Sequence, residues 1–262
     1  MNAGAAPRVS VLIPVAPRQR HLEETLLSIQ KQTFQDWEVV LVLDGDCEAN
    51  RRMAAVLPAD RIRIVLTRSP RSGPAAARNT GLPECRGDLV AFCDGDDLCD
   101  PERLARQVAE FDRRPTLGML ATWARRFDSD TGADLGPLRC PAEYGALARR
   151  LLLFNTVTMS TVMARPEVLR EAGDFREAAV HCEDYDLWLR ILGRAEMGGL
   201  TEELVRYRVH RGQFSHRAKI LPQSGLLRRE KLAAARRLEW SVTVTWIKHL
   251  AWVGVQVANR RF

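Results

Sequence analysis

The stretch Asp88-Leu89-Val90-Ala91-Phe92-Cys93-Asp94-Gly95-Asp96-Asp97 carries an apolar run directly into a cluster of carboxylates. The apolar part is typical of a buried strand that ends where the polar residues begin. Three carboxylates within four residues repel one another unless a cation or hydrogen-bond donors neutralise them. Their oxygens suit Mg²⁺ or Mn²⁺, with coordination positions left for a substrate diphosphate. The stretch therefore predicts a divalent-cation site at a strand end, and a solvated acidic turn before a helix cap at Asp100 is the alternative.

Three earlier runs rich in β-branched residues predict further strands, at Val9–Ile13, Glu38–Leu43 and Arg61–Leu66. Helical patterns lie between them, and after the first strand Leu22, Leu26 and Ile29 share one apolar face. Strand–helix–strand units with right-handed crossovers build an α/β fold, in which an open, twisted, mostly parallel sheet is flanked by helices in a Rossmann-like arrangement. Ligands of such sheets bind at the edge where the strands end.

The pattern loosens after about residue 115, where we expect the sheet to be completed rather than a second, independent domain to begin. Before that point, a helix is expected to start with Asp100 as its cap and Pro101 at its first position. Later strands are expected at Gly118–Trp123, Met159–Ala164 and Leu200–Val209. Later helices are expected at Glu143–Phe154 and Asp184–Leu192.

The composition is that of a globular protein: 262 residues, of which 46% are hydrophobic and 27% charged. It excludes fibrous and low-complexity proteins. The six cysteines include no Cys-x-x-Cys pair, so reduced thiols without a metal are expected. We find no secretory signal at Met1–Arg8 and no apolar run of about 18 residues. These features predict a cytoplasmic protein without a membrane-spanning segment.

The excess of positive charge lies in the C-terminal tail. The formal net charge is +6, but residues 217–262 contain ten lysines and arginines against two glutamates, which leaves a net charge of −2 on the rest. Within the tail, Trp240–Ala258 has an amphipathic helical pattern. These features fit a helix on an anionic membrane surface, hence peripheral attachment to the inner face of the cell membrane; packing on the rest of the chain or on a second subunit is the alternative. Basic charge confined to a tail without a recognition module indicates no nucleic-acid partner.

Two more polar groups are expected at the same edge of the sheet. The turn Asp44-Gly45-Asp46 follows the second strand, and Asp44 is placed to accept hydrogen bonds from a base or a ribose. Ordinary Asp-Gly turn chemistry is the alternative. The segment Gly73-Pro74-Ala75-Ala76-Ala77-Arg78-Asn79-Thr80-Gly81 opens a helix whose N-terminus and Arg78 would clamp a diphosphate. The alternative for Arg78 is a solvated surface charge.

Taken together, these motifs resemble glycosyltransferase family 2, the inverting nucleotide-sugar enzymes of the GT-A fold. The likeness spans about residues 8–216, in order. The matching stretches are Val9-Ser10-Val11-Leu12-Ile13-Pro14, Gln32-Thr33-Phe34-Gln35-Asp36-Trp37-Glu38, Asp44-Gly45, Ala77-Arg78-Asn79, Asp94-Gly95-Asp96-Asp97, Gly173-Asp174-Phe175, Glu183-Asp184-Tyr185-Asp186-Leu187-Trp188, and Tyr207-Arg208-Val209-His210 followed by Ser215.

The resemblance implies donor-binding roles for Pro14, Val15, Ala16, Asp44, Arg78, Asp94 and Gly95. The backbone of the first three would hold a nucleoside of the uridine or thymidine type, and Asp44 would contact its base. Arg78 would approach the diphosphate, and Asp94 would bind the ribose or the metal.

The resemblance also implies a metal-dependent, inverting reaction. Asp96 would ligate Mn²⁺ or Mg²⁺, and His210 would add a metal or phosphate contact; a structural histidine on a strand is the alternative. Asp184 would be the catalytic base, because a sugar hydroxyl must lose its proton as it attacks the anomeric carbon from the side opposite the leaving group. The cation would stabilise the charge that builds on the departing nucleoside diphosphate.

The predicted organisation is a GT-A domain at 1–216, with a nucleotide-binding part at about 8–115 and an acceptor-side part at about 116–216, followed by the tail at 217–262. The predicted enzyme moves a sugar from a UDP- or dTDP-type donor to a hydroxyl of a glycan or lipid-linked acceptor, in cell-surface polysaccharide or glycolipid synthesis. One alternative, a sugar-phosphate nucleotidyltransferase, would carry a glycine-rich loop after the first strand, where Pro14-Val15-Ala16-Pro17-Arg18 has no glycine. The other is a non-catalytic nucleotide-sugar-binding protein.

Overall fold

The computed structural model describes residues 6–17, 19–67, 73–213 and 221–258, so that Arg18, Ser215 and the ends of the basic tail lie outside the described residues. The first part of the chain alternates strands and helices as predicted: β1 (Val9–Val15), α1 (Leu22–Gln30), β2 (Trp37–Leu43), α2 (Glu48–Ala54), β3 (Ile62–Leu66), α3 (Pro74–Gly81) and β4 (Leu89–Phe92). These strands are parallel and lie in the order β3-β2-β1-β4.

Strand β1 continues through Pro14, where the sequence predicts its end. Pro14 pairs in register with Val42 of β2, while the pairing of β1 with β4 stops at Leu12. Beyond Leu12 the strand has a partner on one side only, and a proline without an N–H group is tolerated there. Val15 is therefore still held by the sheet at the edge where ligands are expected.

The second part of the chain continues the same sheet. Its elements are β5 (Leu98–Cys99), α4 (Arg103–Arg113), β6 (Leu117–Asp128), β7 (Asp134–Leu138), α5 (Tyr144–Leu151), β8 (Met163–Ala164), α6 (Pro166–Glu171), α7 (Glu183–Ile191), β9 (Glu196–Val209), α8 (Ser224–Arg237) and α9 (Val242–Ala258). The strand order runs on as β4-β8-β6-β9-β5, with β7 paired to β6. Strand β8 is antiparallel to both neighbours, whereas β6 and β9 are parallel.

Helix α4 and strand β8 also differ from their predictions. Helix α4 begins at Arg103 instead of Pro101, because the Asp100 carboxylate accepts the N–H of Glu102 at 2.9 Å and so closes a turn ahead of the helix. Of the strand predicted over Met159–Ala164, only Met163 and Ala164 form a strand, which is β8. The Thr158 carbonyl accepts both the N–H and the hydroxyl of Thr161, and these local bonds replace strand pairing with a turn.

The core lies on both faces of the sheet. Val11 and Ile13 of β1 pack in one buried cluster, together with Leu22 and Ile29 of α1, while Leu12 packs in the cluster on the other face. This alternation follows from the period of two residues in an extended strand. Both faces are covered, as expected for a largely parallel sheet.

Helix α3 lies directly on the sheet at Gly81. A Cβ atom at this position would overlap the side chains of Leu12 in β1 and Val42 in β2. The missing side chain lets the helix backbone approach the strands closely. The approach fixes the position of Arg78, one turn earlier on the same helix.

Helix α8 is part of the core. Leu227, Ala234 and Ala235 belong to the buried cluster that contains α7 and α5 residues. Lys231 is fully buried, and its Nζ donates a hydrogen bond of 2.8 Å to the carbonyl of Leu153. Burial lowers the pKa of Lys231 to about 7.

Helix α9 turns polar residues inward and apolar residues outward. Thr245 and His249, on the predicted polar side, are buried, whereas Ile247 is 58% exposed and Leu250 is 46% exposed. The ring of Trp252 lies over the ammonium of Lys231, which connects α9 to α8. Within the described ranges, no helix combines the length and hydropathy that a membrane span requires.

Candidate active site

A cavity of about 1070 Å³ opens at the edge where β1, β2 and β4 end. All ten residues singled out from the sequence line this cavity: Pro14, Val15, Ala16, Asp44, Arg78, Asp94, Gly95, Asp96, Asp184 and His210. The structure therefore brings together residues that are distant in the chain. Pro14 and His210, for example, are 196 positions apart.

Arg78 connects two acidic elements of the site. Its guanidinium donates to Asp94 at 2.7 Å and to Glu183 at 3.2 Å, and it lies over the ring of Phe175. The side chain is buried, so these two carboxylates balance its charge. Arg78 is thus a fixed cation at the base of the cavity and not a solvated surface charge.

Asp96 and His210 are in direct contact at the wall of the cavity. Nε2 of His210 lies 3.0 Å from Oδ2 of Asp96. The N–H of Gly212 donates to Nδ1 of the same ring, so the neutral imidazole carries its proton on Nε2 and donates it to Asp96. Burial, followed by the charge of Asp94, raises the pKa of the Asp96 carboxyl.

These groups fit a divalent cation. Carboxylate oxygens and an imidazole nitrogen suit Mn²⁺ and Mg²⁺, and a cation would relieve the repulsion between Asp94 and Asp96 that raises the pKa of the latter. In the part of the chain that the structure describes, no three such side chains converge into a complete metal site. The remaining ligands would therefore come from a substrate or from water.

Asp97 has a different place from the two aspartates before it. It is fully buried, and its Oδ1 accepts the backbone N–H of Arg208 at 2.9 Å. Arg208 in turn donates to the carbonyl of Asp96 and to the carboxylate of Glu24. Asp97 therefore ties the acidic segment to β9 instead of facing the cavity.

Asp184 lies in the first turn of α7. Its Oδ2 accepts a hydrogen bond of 2.9 Å from Nδ2 of Asn155, and its Oδ1 accepts one of 2.6 Å from the N–H of Tyr185. Burial, followed by the charge of Glu183, raises the pKa of Asp184 to about 7. A carboxyl that titrates near neutrality is suited to accept a proton from a hydroxyl group.

Asp44 makes a contact that the sequence does not reveal. Its Oδ2 accepts the N–H of Gly73 at 2.7 Å, which anchors the residue before α3. Gly73 has a φ of 112°, a conformation that favours glycine. Asp46, by contrast, is paired with Arg51 beside the cavity and not in it.

Two asparagines support the site without being predicted. The buried Asn50 donates to the carbonyl of Ala16 and accepts the N–H of Gln19, so it shapes the loop after β1. Asn155 holds Asp184 and accepts the N–H of Val157 with its own oxygen. Both lie away from any recognisable motif, and a single sequence carries no pattern that would have identified them.

Comparison with known proteins identifies the family. The model of glycosyl transferase family 2 matches residues 10–166. The "Putative glycosyltransferase EpsE" of Bacillus subtilis is 30% identical over 224 residues, which cover 83% of this chain and 78% of the relative. The amylovoran biosynthesis glycosyltransferase AmsE of Erwinia amylovora is 28% identical over 203 residues, covering 76% of this chain and 75% of the relative.

Solved structures share the GT-A fold. TarS of S. aureus (residues 1–349), in complex with UDP-GlcNAc, superposes with a TM-score of 0.75 at 19% identity over 93% of this chain and 73% of that TarS fragment. The mannosyltransferase PcManGT of Pyrobaculum calidifontis, in complex with GDP-Man and Mn²⁺, gives a TM-score of 0.60 at 20% identity over 97% of this chain and 76% of the other. The predicted fold, family and enzyme class are confirmed: the chain is a glycosyltransferase and belongs to glycosyl transferase family 2.

Proposed function

We propose that this glycosyltransferase is inverting and metal-dependent, and that it transfers a sugar from a UDP- or dTDP-type donor to a hydroxyl of a glycan or lipid-linked acceptor. The observation that carries the proposal is that Asp184 lines the same cavity as Arg78, Asp94 and Asp96. The candidate base and the candidate diphosphate site thus line the same cavity. The relative AmsE, which is named for amylovoran biosynthesis, supports a place in cell-surface polysaccharide or glycolipid synthesis.

Asp184 is proposed as the catalytic base. With its pKa near 7, the carboxylate is present at neutral pH and takes up the proton of the acceptor hydroxyl as that oxygen attacks the anomeric carbon. Attack from the face opposite the leaving group inverts the configuration at that carbon. Asn155 and the N–H of Tyr185 keep the carboxylate in one orientation.

The donor is proposed to lie across the ends of β1, β2 and β4. The backbone of Pro14, Val15 and Ala16 would hold the nucleoside, with Asp44 near the base, and Asp94 with Gly95 near the ribose. Arg78 would bind the diphosphate, because a guanidinium donates paired hydrogen bonds to phosphate oxygens. The UDP-GlcNAc complex of TarS supports a uridine donor, while the GDP-Man complex of PcManGT shows that the same fold also accepts guanosine.

A cation is proposed at Asp96 and His210, beside Asp94. When bound, Mn²⁺ or Mg²⁺ supplies Lewis-acid stabilisation of the departing nucleoside diphosphate. The Mn²⁺ complex of PcManGT supports this choice of ion. His210 donates its Nε2 proton to Asp96 in the absence of a cation, so the two side chains are already oriented towards each other.

The division of the chain is also a proposal. Residues 8–115 would bind the nucleotide, 116–216 would face the acceptor, and 217–262 would form a tail whose last helix meets an anionic membrane from the cytoplasmic side. The outward apolar side chains of α9 support a membrane contact of this kind.

The test is a thermal-shift series with UDP, dTDP and GDP, each with and without Mn²⁺. Binding raises the unfolding temperature by mass action, so the series reports base preference and metal dependence together. We expect the largest rise with UDP or dTDP plus Mn²⁺, and we expect Asp96→Ala to abolish the Mn²⁺-dependent part. An equal rise in Asp96→Ala and wild type would remove Asp96 from the metal site. NMR of the product anomer distinguishes inversion from retention.

A further inference from the structure

A buried lysine that the proposed reaction does not use contacts the segment that leads to the active site. Nζ of Lys231 in α8 donates a hydrogen bond of 2.8 Å to the carbonyl of Leu153, just beyond the end of α5. Carbonyl groups at the C-terminal end of a helix lack partners within the helix, and a cation is favourable there. Two residues further on, Asn155 donates to Asp184. Lys231 therefore binds the backbone directly before a residue of the active site.

The position of Lys231 is unfavourable for a charged group. The side chain is fully buried, and burial alone lowers its pKa. Among the described residues, no carboxylate pairs with it, and its hydrogen-bond partner is the carbonyl of Leu153. The rings of Tyr185 and Trp252, whose centres lie 5.5 Å and 4.5 Å from Nζ, offset part of the cost. An apolar side chain of similar length would avoid this cost, but it would lose the contact with Leu153.

Tyr185 also connects the end of α5 to the proposed base. Its hydroxyl donates to the carbonyl of Leu151, the last residue of α5, and its backbone N–H donates to Oδ1 of Asp184. The other oxygen of Asp184 is held by Asn155, which follows the same helix end. A displacement of this helix end would therefore move Asn155 relative to Asp184.

We infer that Lys231 is a positioning residue for the proposed base: it holds the end of α5 through the carbonyl of Leu153 and thereby keeps Asn155 in place to donate to Asp184. The inference rests on the proposed function, since it extends the roles of Asp184 and Asn155 to a third residue. Among the described residues that line the active-site cavity, none belongs to α8, so Lys231 acts from outside the cavity. A neutral amine retains N–H groups, so the contact with Leu153 does not depend on the charge of Lys231.

The test is an NMR titration of the full chain, labelled with ¹³C at its aspartate carboxyl groups. The resonance that is missing from Asp184→Asn identifies Asp184, and its titration reports the pKa of this carboxyl without an acceptor. The variants are Lys231→Met, Asn155→Ala and the two combined. The matched control is Arg237→Met, because Arg237 is another cation of α8 that donates to backbone carbonyls, but at the C-terminal end of α7.

We expect Lys231→Met to move the titration midpoint of Asp184 upward by about one to two pH units, because loss of a hydrogen bond from Asn155 disfavours the ionised carboxylate. Asn155→Ala should give an upward shift of similar size. The combined variant should shift the midpoint no further than Asn155→Ala alone, since both changes remove the same hydrogen bond. Arg237→Met should leave the midpoint where it is in the wild type.

An unchanged midpoint in Lys231→Met overturns the inference. A shift in the combined variant that equals the sum of the two single shifts also overturns it, because Lys231 would then act on Asp184 independently of Asn155. An equal shift in Arg237→Met does so as well, because it would indicate a general loosening of α8. Lys231→Gln, whose shorter side chain also loses the contact with Leu153, carries the same prediction where the Met variant does not fold.

Sugar transfer by Asp184→Asn reports separately on the proposed function. If this variant keeps wild-type activity, the proposed role of Asp184 fails, while the titration still shows whether Lys231 holds Asn155. If transfer is lost as expected and Lys231→Met leaves the midpoint unchanged, only the positioning role of Lys231 fails.

Discussion

Nδ2 of Asn155 donates a hydrogen bond of 2.9 Å to Oδ2 of Asp184, and the N–H of Tyr185 occupies the other oxygen. Both donors favour the ionised carboxylate, whereas burial and the charge of Glu183 oppose it. The pKa near 7 is the balance of these effects. Asp184 is thus held in one orientation and can exchange a proton at neutral pH.

Replacement of Asp184 by Asn tests the proposed base. The amide keeps the shape of the side chain but accepts no proton, so we expect sugar transfer to fall about 10²- to 10⁴-fold, the usual contribution of a general base. UDP affinity should stay within about twofold, because the nucleotide would bind at the strand ends. Release of UDP in the presence of acceptor measures the first quantity and calorimetry the second. Asp60→Asn, at an exposed carboxylate away from the cavity, is the control. Loss of transfer and UDP binding together would make Asp184 a structural residue.

Replacement of Asn155 by Ala tests the positioning of that base. Without the amide donor the ionised form of Asp184 is less favoured, so its pKa should rise further above 7. Because the reaction needs the ionised form, kcat/KM rises with pH through this pKa, and the acid limb of the profile should move to higher pH. At high pH the variant should recover much of its activity. An unchanged profile with a uniformly lower rate would indicate only a packing defect.

Lys231 predicts a pH-dependent stability. Its folded pKa of about 7 lies below the 10.5 of a free lysine, so between these values the unfolded chain binds more protons and the free energy of unfolding rises with pH. We expect urea denaturation to show a rise of up to about 5 kcal/mol from this residue across the window, since each pKa unit corresponds to about 1.4 kcal/mol. Lys231→Met should lack the rise, whereas Lys248→Met, at an exposed lysine, should keep it. Parallel pH curves for Lys231→Met and wild type would contradict a lowered pKa.

The outward face of α9 predicts attachment to anionic membranes. Replacing Ile247 and Leu250 together by Gln removes two exposed apolar side chains, and co-sedimentation with vesicles containing phosphatidylglycerol should fall more than about tenfold, because burial of each such side chain contributes about 1.5–3 kcal/mol. Gln at Leu66 and Leu135, which are also exposed, should leave sedimentation unchanged. Failure of the wild-type protein to co-sediment with such vesicles would exclude the membrane contact.

Local patterns in the sequence predict the parallel part of the sheet, because alternating and continuous apolar runs mark each strand directly. They do not distinguish Asp96 from Asp97. Consecutive side chains point in different directions, and only the three-dimensional path decides that Asp97 meets the N–H of Arg208 while Asp96 meets His210. The bounds of β8 and α4 differ from the predicted ones for a similar reason, since local side-chain hydrogen bonds decide them.

Helix α9 shows what periodicity leaves open. The sequence pattern gives two faces but not the one that is buried. In the structure Thr245 and His249 are buried, and the ring of Trp252 lies over the ammonium of Lys231 in α8. Asn155 is equally invisible in the sequence. Its importance comes from Asp184, a neighbour 29 residues away in the chain, which no local rule encodes.

The absence of a side chain at Gly81 affects the proposed diphosphate site at Arg78. Helix α3 packs directly against Leu12 and Val42 because position 81 has no side chain. Any larger residue at this position would push the helix away from the sheet and move Arg78 away from Asp94 and Glu183. In a random mutant library, such a change would look like loss of the proposed diphosphate contact of Arg78, although position 81 does not line the cavity. Screens that rank residues by donor affinity alone will therefore report residues such as Gly81, which set the distance between helix and sheet, together with residues that bind the donor.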